Sequence, residues 1–365
     1  MTLKFPAENL RPAIAAAAPD VAVADRRDRL LLLQVGRGLA AVGVAISHAR
    51  LGTSAFVEPI PGWLMAILAK GFLGVDFFFV LSGFIILNSH LDDESTLRAL
   101  KSYVLKRVAR IYVPYLPVCA VVILSYLLFP SLSNVDRDWG WWTSIFLVPS
   151  QNPPALVAAW TLIHEMLFYT IFVLFFLGKR VFLFASAAWT VAIIANPPTA
   201  GFLAPLFSTL FDSINIEFMF GMICALLYRK ITHLVEHSGW AALAVGAAVA
   251  CAYFLVAQGE GADRLLFGLG ASFILLGAVL LERRISDRIP RFLVRLGDAS
   301  YAVYLLHNPM ISLTSRAAAK IAVVDRWCGS LIFSMICVIG SGWLYHTLFE
   351  RPVLSALRKI IKARS

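Results

Sequence analysis

Four ionisable side chains lie inside stretches that are otherwise apolar enough to cross a lipid bilayer. Arg37 and His48 lie in the first of these stretches. Asp76 lies in the second, and Glu165 in a later one. Ionisable groups at membrane depth are costly, so a functional site is the default interpretation. A neutral histidine can take a proton from a hydroxyl, and a neighbouring carboxylate can fix its tautomer and stabilise the imidazolium.

The rise of a helix converts sequence position into depth in the membrane. Arg37 is predicted about 10 Å from the inner border, and His48 lies about 16 Å beyond it. Asp76 and Glu165 enter from the outside and reach about 7 Å of depth. These two carboxylates and His48 therefore share the outer third of the membrane if their helices adjoin. An arrangement in which His48 and Asp76 only satisfy each other across a helix interface fits the spacing equally well.

A basic cluster marks the opposite side of the membrane. Arg107 and Arg110 lie at the predicted inner border, below Arg37, and this cationic mouth would suit an anionic donor. Tyr304 and His307 are three residues apart and share one helix face. They could line a tunnel, or they could hydrogen-bond to a neighbouring helix. Together these residues indicate a bipolar enzyme, with an anionic donor inside and an acceptor outside.

The composition is that of a membrane protein. Of 365 residues, 59% are hydrophobic and only 15% are charged, and the mean hydropathy is +0.78. A soluble protein carries about 25% charged residues. The net charge of +10 does not indicate nucleic-acid binding, because the Lys and Arg residues lie in short loops between apolar runs. The five cysteines have neither CxxC nor Cys/His spacing, which argues against a disulfide framework or a metal site.

The apolar runs predict an all-α, polytopic membrane protein with about ten transmembrane helices and both termini cytoplasmic. With this topology 24 of the 32 basic residues lie inside and 7 outside, as the positive-inside rule requires. The predicted spans are 30–49, 71–89, 111–130, 160–178, 181–196, 202–228, 240–257, 264–281, 297–315 and 329–349, the sixth bent or broken around 212–215.

The same pattern divides the chain into three parts. Residues 1–29 are predicted to form a mobile cytoplasmic tail, because they are rich in Ala and Pro and end in an Arg cluster. Residues 30–353 form the transmembrane domain. Residues 354–365 form a basic cytoplasmic tail.

Taken in order, the motifs resemble those of the acyltransferase-3 family of integral membrane O-acyltransferases. The family's Arg/Lys-x10-His signature corresponds to Arg37 and His48. The sequence around Trp160 is similar to that of exopolysaccharide O-acetyltransferases. The resemblance covers nearly all of the transmembrane domain. The other matching segments are 74–84, 106–114, 160–169, 296–307 and 350–352.

The resemblance implies an acyl-CoA donor in the cytoplasm and a carbohydrate acceptor at the outer face of a bacterial inner membrane. It implies that His48 is the catalytic residue and that Arg37 is essential. The complete predicted catalytic set is Arg37, His48, Asp76 and Glu165, and the predicted donor-binding set is Ser82, Arg107, Arg110, Tyr304 and His307. Acetyl-CoA is expected as a donor substrate, with no permanently bound cofactor and no metal. Glu350 and Arg351 are expected to form an ion pair at a helix end.

Two other functions use similar residues. A proton- or sugar-coupled transporter would also place Arg, His and Asp inside a helix bundle. Transporters often have paired broken helices in matched halves, and the sequence has no such symmetry. A non-catalytic partner in a polysaccharide export complex is the second alternative. Loss of polymer modification on replacing His48 alone would separate it from an enzyme.

Overall fold

The computed structural model describes residues 30–129, 138–195, 197, 201–231, 238–256, 262–321 and 326–364. All regular secondary structure in these residues is helical, which confirms the all-α class. Seven helices are long and apolar enough to cross a bilayer, or eight if one bent pair counts as a single span. The predicted tail at 1–29 lies outside the described residues.

The helices that satisfy this test account for most of the predicted spans. They are α1 (Leu31–Phe56), α2 and α3 together (Gly62–Ala69 and Gly74–His90), α4 (Leu97–Leu128), α6 and α7 (Ala159–Phe172 and Leu174–Leu177), α11 (Ser238–Val256), α12 (Ala262–Ile285), and α15 (Trp327–Tyr345) with its continuation α16 (Arg351–Arg364). The bent pair consists of α9 (Ala204–Leu210) and α10 (Ile216–Ile231), which meet at 42° around the 3-10 turn Ser213–Asn215. This break lies where the sequence predicted it.

The remaining helices are shorter or more polar. They are α5 (Trp141–Phe146), α8 (Lys179–Ala195), α13 (Arg291–Asp298) and α14 (Ser300–Ala318). Helices α8 and α14 coincide with the predicted fifth and ninth spans, but α8 has only 17 residues where a span needs about 20. The count of ten spans and the placement of both termini inside therefore remain predictions.

Helix α1 lies at the centre of the bundle. It packs against α3, α12, α13, α14 and α15. Its first two backbone N–H groups, from Leu31 and Leu32, donate to the two carboxylate oxygens of Glu282 over 2.6 and 2.9 Å. The first N–H groups of a helix have no partner within the helix, so this carboxylate caps α1 and fixes its height in the bundle.

Helices α3 and α10 pack at backbone contact because glycine lies on both sides of their interface. A Cβ added at Gly83 would lie 2.1 Å from the carbonyl oxygen of Phe218. A Cβ at Gly221 would lie 1.8 Å from the carbonyl oxygen of Val80. Neither oxygen can move without moving its helix, so glycine at both positions sets the spacing of this pair.

We expect Gly221→Ala to lower the stability of the protein by about 1–3 kcal/mol, because the methyl group forces α3 and α10 apart. Thermal unfolding of the purified protein in detergent measures this. Gly340→Ala is the matched control, since a Cβ there meets nothing within 4 Å. Equal unfolding temperatures for Gly221→Ala and Gly340→Ala would show that this interface is not tightly packed.

Candidate active site

Two adjoining cavities lie inside the helix bundle, and every predicted site residue except Asp76 lines one or both of them. The first, here called the arginine cavity, has an empty volume of about 880 Å³, its open mouth included. The second, the histidine cavity, has about 860 Å³ measured in the same way. Val75 and Tyr304 line both cavities, so they form the wall between them. The polar residues of the arginine cavity are Arg37, Ser82, Arg107, Arg110, Thr161, Glu165, Tyr169, Ser300, Tyr301 and Tyr304. Those of the histidine cavity are His48, Trp160, Arg264, Tyr304, His307 and Asn308.

Arg107 is fixed at the arginine cavity by a chain of hydrogen bonds. It donates through Nη2 to Nε2 of His90 over 3.1 Å. Since a guanidinium can only donate, that Nε2 accepts, and Nδ1 of His90 donates to Asp93 over 2.7 Å. The guanidinium also lies over the rings of Tyr103 and Tyr169, each centroid 5.7 Å away. Sequence reasoning missed His90, because its partners come from three different positions along the chain.

Arg110 is held by a buried carboxylate at the far end of the sequence. Its Nη1 donates to Oε1 of Glu350 over 3.0 Å, and its guanidinium lies over the ring of Tyr301. Oε2 of Glu350 lies 2.9 Å from Nδ1 of His346. The expected ion pair between Glu350 and Arg351 is therefore wrong. The π-helical segment His346–Glu350 turns this carboxylate inward, towards the cavity.

Arg37 is the third cation of the arginine cavity. Among the described residues it has no hydrogen-bond acceptor and no ion-pair partner, although Glu350, Glu165 and Arg110 interact with it electrostatically. Its N–H groups are thus available to a bound molecule. Three guanidinium groups around one largely apolar cavity suit phosphate and carbonyl oxygens, which accept from arginine in a forked geometry.

Glu165 also lies in the arginine cavity. Its Oε1 accepts from Ser82 over 3.3 Å and from Tyr169, one turn further along α6. The sequence placed Glu165 in the outer third of the membrane with His48, whereas the structure places the two residues in different cavities. The rotation of α6 about its axis directs this carboxylate towards Ser82 and into the arginine cavity.

His48 lines the histidine cavity in a defined tautomer. Its Nδ1 lies 3.0 Å from the carbonyl oxygen of Val44, one turn earlier on α1. A carbonyl oxygen only accepts, so Nδ1 carries the hydrogen and Nε2 keeps its lone pair. A neutral imidazole with a free Nε2 is the form that a general base requires.

Asp76 does not contact His48, contrary to the expectation from sequence. The carboxylate is fully buried, and its two oxygens accept from Nε and Nη2 of Arg264 over 3.0 and 2.8 Å. Arg264 reaches it from the first turn of α12 and lines the histidine cavity. The sequence analysis did not single out Arg264, which lies at the outer end of the predicted span 264–281. Glu217 is completely buried beside this pair and interacts electrostatically with both members.

His307 was predicted with the donor-binding arginines, but it lies in the histidine cavity. Its ring contacts that of His48, with the centroids 4.9 Å apart. Tyr304, on the same face of α14, forms the wall through its hydroxyl, which lies 2.8 Å from the hydroxyl of Thr161. The ring of Phe78 packs edge-on against Tyr304. These two contacts hold the Tyr304 side chain between the cavities.

Within the described residues, no group of three or more His, Cys, Asp or Glu side chains is arranged to hold a metal ion.

We expect Arg264→Gln to lower protein stability by about 3–5 kcal/mol, because it leaves the Asp76 carboxylate buried without its cation. The double variant Asp76→Asn with Arg264→Gln removes both charges and should recover most of that loss. Thermal unfolding in detergent compares the two variants. If the double variant were as unstable as Arg264→Gln alone, the loss would come from packing and not from the unpaired charge.

Comparison with known proteins supports an acyl-transfer site. A family model described as "Acyltransferase domain" matches residues 31–346, which include both cavities. The chain is 29% identical over 302 residues to the exopolysaccharide production protein ExoZ of Rhizobium meliloti (strain 1021), covering 78% of this chain and 90% of that protein. It is 26% identical over 338 residues to the acyltransferase MdmB of Streptomyces mycarofaciens, covering 80% and 84% respectively. No solved structure matches.

The match extends from the first residue of α1 to the first residue of the π-helical segment, and so takes in every element that lines the two cavities. It confirms the resemblance drawn from the six sequence motifs. The chain belongs to the acyltransferase-3 family and is a multi-pass membrane acyltransferase.

Proposed function

We propose that this enzyme transfers an acetyl group from cytoplasmic acetyl-CoA to a hydroxyl of a surface polysaccharide or its lipid-linked precursor, in a bacterial inner membrane. The observation that carries the proposal is the pair of cavities with one shared wall. One cavity presents three arginines, and the other presents a histidine with a free Nε2. A donor and an acceptor that never share a compartment need such an arrangement.

The arginine cavity suits the donor. Arg107 and Arg110 bind the phosphates, since each is held at one edge by a protein partner and keeps other N–H groups for a ligand. Arg37 lines the same cavity from α1 and binds the thioester end of the donor. Ser82 and Glu165 lie opposite the arginines and complete the polar lining. The excess of basic residues on the predicted inner segments supports a cytoplasmic opening for this cavity.

The histidine cavity suits the acceptor. Nε2 of His48 takes the proton of the acceptor hydroxyl as its oxygen attacks the thioester carbonyl. The carbon–sulfur bond breaks, and the proton passes to the sulfur to release the free thiol. If Nε2 instead carries the acetyl group briefly as a covalent intermediate, the same nitrogen and the same tautomer are required. The relative named for exopolysaccharide production supports a carbohydrate as the acceptor.

The thioester must pass the wall of Val75 and Tyr304 to reach His48. Because both cavities are lined by Val75 and Tyr304, rotation of these side chains would open one cavity to the other without a large movement of helices. The long and narrow pantetheine arm of the donor then spans the distance between Arg37 and His48 along α1.

The test is transfer of label from [14C]acetyl-CoA to polysaccharide or lipid-linked sugar in inverted membrane vesicles, combined with proton NMR of the surface polysaccharide. Cells that lack the protein should lose O-acetyl signals, and their vesicles should lose label transfer. Unchanged O-acetyl signals would overturn the proposal. Flux of sugar without acetylation would point to transport instead.

A further inference from the structure

The two imidazoles of the histidine cavity form a pair. His48 comes from α1 and His307 from α14, and their rings meet edge to face at a centroid distance of 4.9 Å and an angle of 69°. The two helices pack along much of their length. The contact therefore belongs to the central interface of the bundle and is not an incidental approach of two mobile side chains.

Both rings are held in the same tautomer by their own helices. Nδ1 of His48 donates to the carbonyl oxygen of Val44, and Nδ1 of His307 donates to that of Tyr304. Each Nε2 is consequently a bare acceptor. Two lone pairs on rings that are in contact do not stabilise each other, so the pair is complementary to a species that brings one additional proton.

Nε2 of His307 has no hydrogen-bond partner among the residues that the structure describes. The residue is 1% exposed, and this nitrogen is buried. None of the donor side chains described in this cavity, Trp160, Arg264, Tyr304 and Asn308, bonds to it. A buried acceptor without a donor is unfavourable, which makes a transient donor the natural explanation for its retention here.

We propose that His307 is the positioning residue for His48: its Nε2 accepts a hydrogen bond from the N–H that His48 acquires during acyl transfer. This inference rests on the proposed function. The proton leaves the acceptor hydroxyl for Nε2 of His48 as the carbon–oxygen bond forms. It is stabilised there by His307, and it leaves for the thiolate once the carbon–sulfur bond has broken.

The partner that the structure places beside His48 is an imidazole and not the carboxylate that the sequence suggested. Asp76 pairs with Arg264, whereas the ring of His307 contacts that of His48. An imidazole with a bare Nε2 can stabilise the protonated form of His48 through one hydrogen bond to a charged group.

The test compares two substitutions of one residue in the vesicle assay with [14C]acetyl-CoA and endogenous acceptor. His307→Leu removes the acceptor atom at similar volume, and should lower kcat about 10- to 100-fold, as expected for a hydrogen bond to a charged group. His307→Gln keeps a side-chain acceptor and should retain activity within about threefold of wild type. The KM for acetyl-CoA should change by less than about twofold in both, since the partner acts on His48 and not on the donor. Leu313→Ala, an exposed position on the same helix, is the control for expression and assay.

Three results would overturn the inference. One is full kcat in His307→Leu. Another is an equal loss in both variants with lower unfolding temperatures, which would indicate a purely structural role. The third is a rise in the KM for acetyl-CoA, which would return His307 to the donor-binding set. Absence of label transfer by the wild-type protein would instead overturn the proposed function itself.

Discussion

Replacing His48 by alanine should reduce acetyl transfer about 100- to 10,000-fold, the usual contribution of a general base. The expectation follows from the free Nε2 in the histidine cavity, with Nδ1 already occupied by the Val44 carbonyl oxygen. An acyl-histidine intermediate predicts an equal or larger loss, because the same nitrogen carries the group. Label transfer from [14C]acetyl-CoA in vesicles measures the effect, normalised to the amount of protein in the membrane.

The control for His48→Ala is Leu51→Ala, one turn further along α1 at an exposed position. It should leave transfer unchanged. The comparison also separates an enzyme from an export partner. A non-catalytic partner would retain polymer modification in His48→Ala and lose it only when the whole protein is absent. Normal transfer by a stable His48→Ala protein would refute the catalytic assignment.

The double substitution Arg107→Gln with Arg110→Gln should raise the KM for acetyl-CoA by at least about 100-fold, since each charge-assisted hydrogen bond to phosphate contributes about 1.5–3 kcal/mol. The expected effect is on donor binding, because both guanidinium groups line the arginine cavity and neither reaches the histidine cavity. Initial rates at several acetyl-CoA concentrations measure it, with acceptor held constant.

Arg229→Gln is the matched control for the arginine pair. Arg229 lies on the same predicted border of the membrane, but it bonds to Asp92 and Asn88 outside both cavities. Its loss should leave the KM for acetyl-CoA within about twofold of wild type, as expected for an exposed ion pair. A larger effect on acceptor use than on donor use in Arg107→Gln with Arg110→Gln would contradict the donor-site assignment.

The variants Gly221→Ala and Arg264→Gln test the stability of the helix bundle and not the catalytic chemistry. If Gly221→Ala and Arg264→Gln lower stability as expected, loss of activity in either variant cannot be taken as evidence of a catalytic role. This matters for Asp76, whose substitution would disturb its pair with Arg264 before it affected His48.

Much of the fold could be read from the sequence, because a bilayer imposes a simple rule on each helix. Apolar runs of span length predicted helices where the structure has them, including the bend between α9 and α10. The family followed from motifs whose spacing is local to one helix, such as the ten residues between Arg37 and His48. Local spacing survives folding, so these inferences were secure.

The contacts of each polar group could not be predicted in the same way. The sequence identified the polar residues and the side of the membrane to which each lies closer: Arg37, Arg107 and Arg110 towards one side, and His48 towards the other. Only the tertiary structure decided that Asp76 pairs with Arg264, 188 residues away, that Glu165 turns towards the arginines, and that His307 meets His48. Those contacts depend on how each helix is rotated about its axis and which helix lies beside it. Both are set by close packing across interfaces such as that of Gly83 and Gly221. Such packing depends on residues from distant segments of the chain, so the spacing of residues within one helix does not predict it.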